Sequence, residues 1–101
     1  MSVWQDKTVL VVDDSPGIRT TLTATFKSMG LKPVGSVENG VKALEFIEKE
    51  KPDVVSLDII MPEMDGIECY RKIREFYPDV DILIVSCLAS EQKDNLKVTI
   101  P

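Results

Sequence analysis

The sequence predicts an α/β fold in which helices cover both faces of a parallel sheet. Three observations carry this. Apolar, largely β-branched runs at Thr8 to Val12, Val54 to Leu57 and Ile82 to Val85 have the near-continuous hydrophobicity of strands buried on both faces. Between them lie segments whose apolar residues recur at helical spacing. The elements alternate strand, helix, strand, helix, strand, helix, strand, the order that right-handed βαβ crossovers produce.

Each element has its own signature. After the first strand come Asp13-Asp14, then Ser15 as helix N-cap and Pro16 as first helical residue. Ile18, Leu22, Phe26 and Met29 form one apolar face, and Gly30 is the C-terminal stop. Lys32 to Val37 is a weaker strand; Pro33 and Gly35 place it at a sheet edge. Glu38-Asn39-Gly40 is turn-like, and Val41, Ala43, Leu44 and Ile47 mark a second helix that ends near Lys51-Pro52. Asp58 closes the third strand, and Pro62 and Gly66 bound the loop after it. Ile67, Tyr70, Ile73 and the stem of Arg74 mark a third helix, finished by Phe76 and Tyr77 before Pro78. The fourth strand follows Asp81 and ends at Ser86-Cys87. In Leu88 to Pro101, Ser90 to Lys93 is a possible helix start and Leu96 to Ile100 is strand-like, but the polar run between is too short for a crossover helix and a parallel strand.

At 101 residues the chain is read as one domain, 1–101, with 88–101 as an atypical tail. A net charge of −5 argues against a nucleic-acid or anionic-membrane surface. No apolar run approaches the ~20 residues that span a bilayer, and Met1 to Lys7 lacks a signal-peptide core. Cys69 and Cys87 lack metal-ligand spacing and are read as reduced thiols of a cytoplasmic protein. The chain has no histidine, which excludes His-based triads, His-ligated zinc and a phosphoryl group stored on its own histidine.

The chemistry sits where strands end. Asp13-Asp14 follow the first strand, Asp58 ends the third and Ser86 the fourth; in a parallel sheet these share one rim, where ligand and catalytic groups collect. Clustered carboxylates repel and raise one another's pKa, and a hard divalent cation relieves the repulsion. Mg²⁺ fits, because it takes oxygen ligands and keeps waters that a phosphate oxygen replaces. A carboxylate there can then attack a phosphoryl group to give an aspartyl-phosphate. Met61 and Met64 are loop packing, since thioethers suit hard cations poorly. Glu63 and Asp65 are solvated acids, Cys69 packs on its helix, and the acids near Cys87 disfavour its thiolate. Trp4 has no evident role.

These residues resemble the receiver domain of two-component response regulators. The resemblance runs from residue 7 to about 92 and rests on Val-Leu-Val-Val-Asp-Asp-Ser-Pro at 9–16, Asn-Gly-Val-Lys-Ala-Leu-Glu at 39–45, Pro-Asp-Val-Val-Ser-Leu-Asp-Ile-Ile-Met-Pro-Glu-Met-Asp-Gly-Ile-Glu at 52–68 and Ile-Leu-Ile-Val-Ser at 82–86. It implies a flavodoxin-like, three-layer fold of strand order 2-1-3-4, with the usual fifth strand missing or replaced by the C-terminal segment. It implies Asp58 as phosphoacceptor, Asp14 as direct Mg²⁺ ligand with Asp13 as its partner, Ile60 as a metal ligand through its backbone carbonyl, and Ser86 as switch hydroxyl. The implied donor is a phosphohistidine on a histidine kinase or phosphotransfer protein. The domain would be a switch and not a turnover enzyme.

The tail departs from the family pattern. The lysine that pairs with the phosphate and the aromatic before it have no clear counterpart; Lys97 is the nearest candidate, and as a bare sequence feature reads better as solvated. Cys87 replaces the usual alanine after the switch hydroxyl. Without a fifth strand, Ile82 to Val85 is an open apolar edge that invites pairing. The 96–100 segment can fold back on it as an antiparallel strand or cross to a second subunit, so a homodimer is one expectation. A receiver degenerated into a phosphorylation-independent binding or dimerisation module is the alternative function. An Asp-nucleophile phosphohydrolase wants a second acid where Ile60 stands, and a flavin phosphate would be repelled by Asp13-Asp14.

Overall fold

The β-branched runs fold as strands and the 3.6-residue patterns as helices in a computed structural model that describes residues 4–58, 66–87 and 96–99. In chain order these are β1 (Thr8–Val12), α1 (Pro16–Ser28), β2 (Lys32–Val37), α2 (Gly40–Glu50), β3 (Val54–Asp58), α3 (Gly66–Phe76), β4 (Asp81–Cys87) and β5 (Leu96–Thr99). The sheet order is β2-β1-β3-β4-β5. The first four strands are parallel, as the alternation with helices requires. β5 runs antiparallel to β4, with Cys87 opposite Leu96 and Ile84 opposite Thr99. The C-terminal segment thus supplies the fifth strand from within the chain, on the β4 edge that also motivated the dimer expectation.

The pleat of the sheet sorts the core into two layers. On one face, Val9, Val11, Val54, Leu83 and Val85 pack with Leu22 and Phe26 of α1 and with Leu31. On the other, Leu10, Val12, Val55, Leu57 and Ile82 pack with Ala43 and Ile47 of α2 and with Cys69 and Ile73 of α3. Trp4, without a role in the sequence reading, packs against the α1-side cluster. Met29, Val41 and Ile67, which helical spacing assigned to apolar faces, are exposed. Met29 follows the last residue of α1, while Val41 and Ile67 each follow a buried glycine, Gly40 and Gly66, and sit about 100° round the helix from it, off the buried face.

Local signals set the boundaries. Ser15 Oγ accepts from the Ile18 amide at the start of α1, and Asn39 Oδ1 from the Lys42 amide at the start of α2. Gly30 turns the chain after α1 with φ +95°, a region that L side chains rarely adopt. Against β1, β2 steps from Val9–Pro33 to Leu10–Gly35, skipping Val34. Among the described residues no helix is long and apolar enough to cross a membrane.

Candidate functional site

The carboxyl ends of β1 and β3 deliver the acids. Val12 pairs with Leu57, so Asp13 and Asp58 emerge side by side, with Asp14 one residue further. One carboxylate oxygen from each of Asp13, Asp14 and Asp58 lies within 4.8 Å of the other two. Asp13 is buried, Asp58 half-buried and Asp14 exposed, so the cluster faces outward from the sheet.

The turn that carries Asp13 is tightly held. Its amide donates to the Val37 carbonyl at 3.1 Å, extending the β1–β2 ladder by one residue. Its Oδ1 accepts from the Ser15 amide at 2.9 Å, an Asx-type turn that leads into α1. Arg19 Nη1 donates to its main-chain carbonyl at 2.7 Å. Burial pushes the Asp13 carboxyl above the ordinary carboxylate range, the Ser15 amide pulls it back, Asp14 repels it upward and Arg19 offsets part of that. At the same rim Glu38 pairs with Lys42, which holds the Glu38 carboxyl below its usual range.

Ser86 follows Val85, the β4 partner of Asp58, so its backbone stands next to the cluster's strand end. Lys97 lies directly across from Ser86 in the antiparallel β4–β5 register. Ile60, Met61, Glu63, Met64, Asp65 and the 90–93 segment lie outside the described residues. Arg19 escaped the sequence reading. Its signal is a long cation on the second turn of a helix that begins two residues after an acidic pair. Cys69 is fully buried, and burial together with the Glu68 charge pushes its thiol up to about 11.

Three hard oxygen donors at this spacing, one with its ionised form already disfavoured, form a set that suits a small divalent cation. The sequence profile of the response regulator receiver domain matches residues 9–100, nearly the whole chain. The chain belongs to this receiver family. Among curated relatives, the protein-glutamate methylesterase/protein-glutamine glutaminase 3 of Hahella chejuensis is 44% identical over 78 residues, covering 77% of this chain and 22% of the relative. The chemotaxis protein CheY of Thermotoga maritima is 35% identical over 85 residues, 84% of this receiver and 71% of that protein. A crystal structure of a CheX–CheY–BeF3–Mg complex from Borrelia burgdorferi matches with a TM-score of 0.78 at 36% identity, covering 87% of this receiver and 67% of that chain. The receiver spans about a quarter of the length of the methylesterase relatives it matches.

Proposed function

We propose that this receiver is the phosphoacceptor of a two-component relay. In this reading Asp58 takes a phosphoryl group from a phosphohistidine on a histidine kinase or phosphotransfer protein. The observation that carries it is the convergence of the Asp13, Asp14 and Asp58 carboxylates to within 4.8 Å on the sheet's carboxyl rim. The receiver family and the Mg²⁺- and BeF3-bearing CheY neighbour support it.

Asp14, Asp58 and the Ile60 carbonyl would hold Mg²⁺, with Asp13 as partner. When bound, the ion supplies charge neutralisation for the incoming phosphoryl oxygens. The chain's own residues do the rest. An Asp58 oxygen attacks phosphorus as the bond to the donor imidazole nitrogen breaks, and the electron pair leaves with that nitrogen. Ser86 is assigned to a phosphate oxygen. Lys97 is the candidate for the family's phosphate-pairing role, supported by its backbone register opposite Ser86. Such a relay places the receiver in the cytoplasm, as a switch and not a turnover enzyme.

The test is incubation with Mg²⁺ and acetyl phosphate followed by intact mass and peptide mapping. One phosphoryl adduct on the Asp58 peptide, lost in Asp58→Asn and blocked by EDTA, is the expected result. The reversed β5 favours one alternative, a degenerate receiver acting as a phosphorylation-independent binding or dimerisation module. Absence of both adduct and beryllofluoride binding selects it, and light scattering then reads the assembly.

A further inference from the structure

We propose that Arg19 is a positioning residue that fixes the direction in which the acidic turn presents Asp14 to the metal; this rests on the reading of the rim as a Mg²⁺ site. Arg19 sits in α1, and its Nη1 reaches back to the Asp13 main-chain carbonyl at 2.7 Å. That carbonyl and the Asp14 amide belong to one rigid peptide plane. A clamp on the carbonyl therefore sets the plane from which Asp14 departs.

The rest of the turn is fixed on its other side. The Asp13 amide is tied to Val37 in β2, and the Asp13 side chain is tied to the Ser15 amide. Arg19 is itself anchored, since its own amide donates to the Ser15 carbonyl at 3.0 Å. Asp14 is the exposed member of the trio and hangs beyond the strand, where the ladder no longer guides it. The clamped plane is the link between that ladder and the Asp14 carboxylate.

The choice of acceptor matters. A guanidinium beside two carboxylates would ordinarily form a bidentate ion pair and consume metal-ligand oxygens. Among the described residues Arg19 forms no ion pair; its hydrogen bond goes to the backbone. Its charge still reaches Asp13, where it opposes the repulsion from Asp14. Arg19 thus holds the turn and moderates its repulsion while its own hydrogen bond takes none of the carboxylate oxygens.

The experiment is Mg²⁺ calorimetry on wild-type protein and on Arg19→Met, Arg19→Gln and Arg19→Lys, at one pH and ionic strength. It is paired with amide NMR spectra of the metal-free forms. Arg19→Met is expected to weaken Mg²⁺ binding about tenfold, the scale of one hydrogen bond from a charged donor, and to shift the Asp14 amide resonance. Arg19→Lys restores most of both. Should Arg19→Met unfold, Arg19→Gln, which removes the charge and shortens the reach, is expected to show the same loss. Mg²⁺ affinity of a folded Met or Gln variant within twofold of wild type, or tighter, overturns the proposal. Wild-type protein that binds no Mg²⁺ at millimolar concentration overturns the metal-site reading itself, an outcome distinct from equal binding by wild type and variant.

Discussion

Thr8 and Asp53, 45 positions apart, clasp each other through three hydrogen bonds: the Thr8 amide and hydroxyl both donate to Asp53 Oδ2, at 2.9 and 3.1 Å, and the Asp53 amide donates to Thr8 Oγ1 at 2.8 Å. The clasp joins the start of β1 to the residue before β3, at the end of the sheet opposite the acids. It satisfies backbone donors that lie outside the ladder.

Thr8→Val and Asp53→Ala are each expected to lower unfolding free energy in urea by about 1 kcal/mol, because the clasp is largely exposed. Mg²⁺ affinity should not change, since the acids lie at the other end of the strands. The double variant should cost less than the sum of the singles.

Gly35 is small because a ring stands over it. A Cβ there would lie 2.7 and 2.8 Å from Cε2 and Cζ of Phe46 in α2. Gly35→Ala is therefore expected to cost about 1–3 kcal/mol by overpacking. Adding Phe46→Leu should recover part of that loss, and thermal unfolding of the three variants reads the coupling.

Asp13 predicts an unusual pH response for the metal-free protein. Its folded pKa is raised, chiefly by burial, so the folded state holds its proton more tightly than the unfolded chain. Its contribution is fully present below the ordinary carboxylate value of about 3.9 and is lost as pH rises through the raised folded value. In EDTA, acidification across that window should stabilise the wild type relative to Asp13→Asn. Melting curves of the pair across the mildly acidic range check the sign. Saturating Mg²⁺ should favour the ionised form and reverse the trend.

Cys69 should be chemically silent in the native state. Burial first, and Glu68 second, raise its thiol to about 11. Native protein at pH 8 is expected to leave Cys69 unlabelled by iodoacetamide, with labelling on unfolding, read by peptide mass. Because the folded pKa is raised, the stability it contributes is present below the ordinary thiol value of about 8.5 and is lost as pH rises through about 11.

The bounds of β1 and β2 and the Asp13–Asp14–Asp58 convergence were legible because they depend on local pattern and on one topological rule. A β-branched run ending in an acid, repeated on neighbouring parallel strands, brings those acids together whatever the loops do. The exposure of Val41 and Ile67 was not legible, since the glycine before each, and not the larger apolar residue, takes the buried position at the helix start. Nor was Arg19: a side-chain bond to a main-chain carbonyl leaves no mark in the periodicity. For the tail, the short 88–95 connection argued against a parallel fifth strand, and the observed direction of β5 agrees. Its register against Ser86 depends on backbone pairing, which composition does not specify.

The step in β2 that skips Val34 reaches beyond local geometry. With Pro33 contributing no amide hydrogen, this flank of the sheet is a poor template for a foreign strand. The opposite flank is a four-residue ribbon of reversed polarity. Growth of the sheet into a larger assembly would therefore proceed from the β5 side, and charge introduced there should suppress it where the same change along β2 would not.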